Sequence, residues 1–175
     1  MEQYSIPSTY YEDVRINICD PLDDLPRQIV KEILNELNED DHVYSWFDDW
    51  GERGLWYCVV ATVNGKPISI AGASKDGKVL RYLYTLKPYR IKYRGIPQMD
   101  FMRVFVNKAI TPTIYISIHA FTKKHEKLAK SYDRQMLSGV PRELQPYAGK
   151  WKYEGIRTYR TVDQHYYRLY LKEFI

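Results

Sequence analysis

Four cations crowd the stretch LYTLKPYRIKYRGIPQMDFM, Leu83 to Met102. Lys87, Arg90, Lys92 and Arg94 fall within eight residues, and Gly95 and Pro97 follow where an amphipathic helix begins. A helix N-terminus leaves backbone N–H groups free, a glycine lets the backbone come close to a ligand, and nearby cations complete an anion site. The segment reads as a cradle for phosphates, with a solvated basic loop as its plain alternative. Asp48 and Asp49 stand among Trp46, Phe47 and Trp50, and aromatic walls raise a carboxylate pKa toward the range of a general base. Simple exposure is the plain alternative there. His119, His125 and His165 stand singly, without partners at ligand spacing, so no metal site is expected. Cys19 and Cys58 lie in apolar, strand-like surroundings and read as small core residues of a reducing compartment.

The elements that must position these groups follow from periodicity. DVRINICDP, Asp13 to Pro21, alternates as a first strand, and LPRQIVKEILNELN follows as a helix with Ile29, Val30, Ile33, Leu34 and Leu37 on one face. The acidic, aromatic segment after it fits a loop or a short second helix. LWYCVVATV is apolar on both alternations, as a strand covered on two faces should be. The pair Asn64-Gly65 then signals a hairpin into KPISIAGAS, and a second turn at Lys75-Asp76-Gly77 leads to KVLRYLYTL. Beyond the basic connection, Met99, Met102, Phe105, Val106 and Ala109 repeat at helical spacing before TIYISIHA, a strand expected to run parallel to KVLRYLYTL. Thr122 is placed to cap a helix over KKHEKLAKSYDRQML, and KWKYEGIRTYRTVDQHYYRLYL makes two Tyr-rich strands around a turn near Asp163.

The chain of 175 residues suits one domain, residues 1–175, with a single core. Apolar residues make up 45% and charged residues 27%, which is ordinary for a globular protein, while 17 Tyr demands many half-buried rings with hydroxyls reaching water or a partner. No apolar run is long enough for a membrane span, and MEQYSIPSTYYED has neither the basic nor the apolar part of a signal peptide, so the expected location is the cytoplasm. Residues 1–55 carry a balance of −10 and residues 56–175 one of +14. The first part offers a surface to a cationic partner and the second a surface to anions.

The order β-α-(α)-β-β-β-α-β-α-β-β, with a basic connection after the fourth strand, resembles the GCN5-related N-acetyltransferase (GNAT) family from about Asp13 to Leu171. The resemblance implies an α+β fold, with a mixed, mostly antiparallel central sheet flanked by helices on both faces. In that family the fourth strand often ends in a Pro and an Arg/Gln-x-x-Gly-x-Gly/Ala loop whose amides grip the pyrophosphate of acetyl-CoA. Leu86-Lys87-Pro88-Tyr89-Arg90 is similar to the start of that motif, but Tyr93 and Gly95 fill its glycine positions. Carried over, the resemblance puts the pantetheine arm against backbone groups of Tyr84, Thr85 and Leu86 and the phosphates against Arg90, Lys92, Arg94 and Gly95. Tyr132, in KLAKSYD, would protonate the departing thiolate, and Asp48 or Asp49 would take a proton from the acceptor, an unidentified small-molecule or protein amine.

Acetyl-CoA-dependent N-acetyl transfer is therefore the first functional reading. The second is a non-catalytic protein of the same fold that works in assembly through protein partners or as a homo-oligomer. It fits the eroded glycines, the many Tyr and the look of divergent transferase-like proteins of tailed bacteriophages, where the protein would be a virion component. Direct nucleic-acid binding through the basic, Tyr-interleaved C-terminal part ranks third, because the acidic part opposes it.

Overall fold

The computed structural model describes residues 4–8, 10–40, 44–52, 54–75, 79–93, 100–101, 104, 113–119, 148–159 and 162–171. Their strands are β1 (Tyr4–Pro7), β2 (Val14–Cys19), β3 (Leu55–Val63), β4 (Lys66–Ser74), β5 (Val79–Thr85), β6 (Thr113–His119), β7 (Ala148–Tyr159) and β8 (Val162–Leu171). They form one sheet in the order β1-β2-β3-β4-β5-β6-β8-β7. Each neighbouring pair is antiparallel except β5 and β6, which run parallel as expected. The architecture is the mixed, mostly antiparallel α+β fold that the element order implied.

The middle of the sheet follows from local chemistry. In β3 the adjacent Val59 and Val60 point to opposite faces and are both buried, so the strand is covered on two sides. Asn64 and Gly65 have φ of 51° and 79°, the doubly left-handed turn that matches strand twist and that Asn-Gly favours. Helix α1 (Asp24–Glu36) buries Pro26, Ile29, Val30 and Ile33. These meet Cys19, Cys58, Val60 and Ile70 from one face of the sheet. Cys19 and Cys58 are cross-strand neighbours, both buried free thiols. Hydrogen bonding with Cys19, followed by desolvation, pushes the Cys58 thiol well above its ordinary range, and the Cys58 thiol donates to the Cys19 carbonyl.

Several details depart from the periodicity. β1 was not expected, since a four-residue edge strand ending in Pro7 carries no alternation to read. The acidic, aromatic segment forms a single helical turn, α2 (Tyr44–Phe47). After the basic connection, Phe101 and Val104 are helical and buried, although they lie off the stripe read from Met99, Met102, Phe105, Val106 and Ala109. That stripe lies outside the described residues, as do Thr122 and the helix assigned to it. The last hairpin turns between Tyr159 and Val162, so Asp163 is already in β8. No helix among the described residues is long and apolar enough to cross a membrane.

Candidate functional site

The sheet opens at β5. Against β4, Ile70 faces Tyr84 and Gly72 faces Arg81, so one residue between them on β4 opposes two, Tyr82 and Leu83, on β5. This is a bulge, and a bulge bends its strand and sharpens the local twist. Tyr82 takes φ of 59°, a conformation that costs a bulky residue free energy and persists only where its surroundings enforce it. Gly72 supplies the room, because a Cβ there would lie 2.9 Å from Leu55 and 3.4 Å from the Tyr82 ring. On the other side, among the described residues, β5 pairs with β6 only at Val79↔Tyr115 and Leu80↔Ile116, although both strands continue. The two strands therefore part after Leu80.

Alternation fixes which backbone groups face the opening. The Leu86 N–H donates to the Ile68 carbonyl at 2.9 Å. Leu86 and Tyr84 thus turn their backbone groups toward β4, while Thr85 and Leu83 turn theirs away from it. Among the residues expected to line a cofactor, Thr85 has the backbone aimed at the gap. Tyr84 instead contributes its side chain, and Leu86 is buried.

The bulge is packed by the acidic, aromatic segment. Phe47 lies with its ring centroid 6.1 Å from Tyr82 and 5.8 Å from Tyr84, and Trp50 lies 5.8 Å from Tyr82. Trp50 is fixed in turn by its indole N–H, which donates to the Pro21 carbonyl at 2.7 Å. Asp48 and Asp49 therefore sit on a turn anchored beside the opened strand, Asp48 exposed and Asp49 half-buried. Glu36, the last residue of α1, reaches the same place. Its carboxylate accepts the Tyr84 hydroxyl at 3.0 Å and the Lys87 backbone N–H at 3.1 and 3.2 Å. Burial, followed by the hydrogen bond to Glu36, pushes the Tyr84 phenol up to about 12.

The basic connection is described from Lys87 to Tyr93. It starts as a 3-10 turn over Lys87–Tyr89. Arg90 folds back so that its Nε donates to the Thr85 carbonyl at 2.8 Å, with the guanidinium 5.0 Å from the Tyr84 ring centroid. Lys92 lies 3.7 Å from Asp13 and 5.2 Å from the Tyr93 ring centroid. Tyr93, which fills a glycine position of the motif, turns its ring inward: it is 3% exposed, donates a short hydrogen bond to Asp13 and meets Tyr11 edge-to-face at 5.4 Å. The Tyr93 hydrogen bond, ahead of the Lys92 charge, holds the Asp13 carboxyl below the usual carboxylate range. Ser8 donates to the buried Asp100, so the β1–β2 loop also ties down the helical segment that follows.

Of the residues singled out in the sequence, the structure gathers Tyr84, Thr85, Leu86 and Arg90 around the opened end of β5, with Asp48 and Asp49 on the adjoining turn, while Lys92 lies further along the connection against Asp13. Arg94, Gly95 and Tyr132 lie outside the described residues. Sequence reasoning missed Tyr82, Glu36 and Asp13. Tyr82 read as an ordinary strand residue, and the two acids act across 51 and 80 residues of chain, a separation that no local pattern reports.

No protein-family model matches the chain, and no curated protein matches it in sequence. Among solved structures, an acetyltransferase from Streptococcus agalactiae is similar at 15% identity and a TM-score of 0.59, covering 92% of this chain and 100% of that one. RimL, a ribosomal alpha-N-protein acetyltransferase solved in complex with coenzyme A, has 11% identity and a TM-score of 0.56 over 96% and 98% of the two chains. A probable GNAT-family acetyltransferase from Chromobacterium violaceum has 10% identity and a TM-score of 0.54 over 91% and 88%. The fold of this chain is thus the one found in GNAT acetyltransferases.

Proposed function

We propose that the protein transfers an acetyl group from acetyl-CoA to an amine. The observation that carries this reading is the bulge at Tyr82 next to the point where β5 and β6 part, with the backbone of Leu83 and Thr85 turned into the gap. A strand edge without a strand partner suits the amide groups of a pantetheine arm, which can continue the ladder. The basic connection begins at the end of that edge, where phosphates would follow. In the step itself the amine nitrogen bonds to the thioester carbonyl carbon and the carbon–sulfur bond breaks. Asp48 or Asp49 takes the proton lost by the amine, and Tyr132 gives one to the departing thiolate.

The experiment is a thermal unfolding series with acetyl-CoA, since a ligand that binds only the folded state raises its stability. Binding at millimolar concentration or tighter is expected, weakened and made less salt-sensitive by joint Arg90→Ala and Arg94→Ala replacement. Tyr132→Phe should then lower turnover about 100-fold while leaving the unfolding midpoint nearly unchanged. Two observations favour the assembly reading: Lys92 is already held by Asp13, and Tyr93 is buried where the motif has glycine. Absence of any shift with millimolar acetyl-CoA would set transfer aside in favour of a non-catalytic assembly or virion role.

A further inference from the structure

A second concave surface lies between α1 and the turn that follows α2. Arg27, Val30, Lys31 and Leu34 follow one another at the spacing that puts them on one helix face, and Phe47 and Asp48 form the opposite wall. The groove encloses about 470 Å³. Its accessible apolar lining comes from Leu22, which is 49% exposed, and from the half-buried Leu34 and Trp50, over the buried Val30 and Phe47. Its rims are charged, two cations on α1 and one carboxylate across from them. Among the described residues, no ion pair or side-chain hydrogen bond engages Arg27, Lys31 or Asp48. Exposed charges of both signs, uncommitted and facing each other over an apolar floor, are complementary to a molecule that carries an ammonium and a carboxylate together at one end and an apolar body at the other.

We propose that this groove binds an α-amino acid with an apolar side chain. The carboxylate lies against Arg27 and Lys31, the ammonium against Asp48, and the side chain on Leu22, Leu34 and Trp50. Both charges of the ligand stay at the mouth, where they remain partly hydrated, and only the apolar part is desolvated. The inference shares Asp48 with the proposed transfer but concerns binding alone, and it holds whether or not coenzyme A binds.

The test is a chemical-shift titration of the amides of α1 and of residues 47–50 with leucine, leucinamide and N-acetyl-leucine. Leucine should bind in the millimolar range, with each analogue weaker by about tenfold, because each lacks one charge. Asp48→Asn should abolish the preference over N-acetyl-leucine, and joint Arg27→Ala and Lys31→Ala should abolish the preference over leucinamide. These three positions are exposed, so the variants are expected to fold. Leucinamide binding as well as leucine would mean that the carboxylate is not read, as for a peptide N-terminus, and would overturn the proposal. So would leucine that leaves these amides unmoved at tens of millimolar. A protein that fails to bind acetyl-CoA yet shows the leucine pattern would overturn the transfer reading and leave this one standing.

Discussion

Tyr84 with Glu36 holds the beginning of the basic connection, and Tyr93 with Asp13 holds its far end, so the same pair of groups serves in two different surroundings. The first tie is a joint between three elements: Glu36 ends α1, Tyr84 belongs to β5, and the Lys87 N–H opens the 3-10 turn. Its phenol stands in the core beside Phe47, where hydrogen bonds to a carboxylate are little screened. At the second tie the Tyr93 ring is buried, but Asp13 and its other partner Lys92 have side chains 45% and 73% exposed. Coulomb attraction there is screened by water and salt. The start of the connection is therefore set by the core, and its end is clipped at the surface. For a cofactor loop this means a fixed origin beside the opened strand and a more adjustable exit.

The largest effect that would break this contrast is removal of the aromatic support. Phe47→Ala should destabilise the protein by about 3–5 kcal/mol, because the ring is nearly fully buried against Trp50, Tyr82 and Tyr84. Denaturant unfolding measures it. Glu36→Ala should cost about 2 kcal/mol, since it strips a phenol and a backbone N–H of their shared acceptor, and Glu36→Gln should recover part of that loss. If Glu36→Ala is neutral, the core joint does not exist as described. Breaking the outer tie should do less: Lys92→Ala should move the unfolding midpoint by about 1 °C or less, and only at low salt.

The smallest effects are pH-dependent and sharpen the contrast by sign. The raised Tyr84 pKa contributes stability that is fully present below the ordinary phenol value of 10.0 and is lost as pH rises from there through about 12. The depressed Asp13 pKa contributes stability present above the ordinary carboxylate value of 3.8 and lost as pH falls below it, through the lowered folded value. The fall in stability between pH 10 and about 12 should therefore be smaller in Tyr84→Phe than in the parent, and the acid limb should lose a component in Asp13→Asn. An acid-limb change in Tyr84→Phe, or an alkaline-limb change in Asp13→Asn, in place of the expected one would sink the assignment.

Local chemistry was enough for the elements that depend on near neighbours. Asn64-Gly65 specifies its hairpin because both residues tolerate positive φ, the α1 stripe appears in the spacing of Ile29, Val30 and Ile33, and the continuous apolar run of β3 reports burial on two faces. The parallel pairing of β5 and β6 was legible too, because a strand, a helix and a strand in one sheet admit that arrangement. The site was legible only as a charge cluster next to a strand end.

What tertiary structure alone decided is the shape of that strand end. KVLRYLYTL has no glycine or proline to announce a bulge, and Tyr82 adopts its left-handed backbone because Phe47, Trp50 and the space at Gly72 hold it there. The direction of Tyr93 was equally hidden, since a bulky residue in a phosphate motif reads as an obstruction until Asp13 and Tyr11 are seen to receive it. Glu36 looked like one more solvated acid at a helix end. Sequence by itself determined strands β2 to β6 and the final hairpin, the Asn64-Gly65 turn and the buried face of α1, because those preferences act within a few residues. Where β5 opens and which acids hold the basic connection were settled by contacts between residues 35 to 80 positions apart, which only the folded chain brings together.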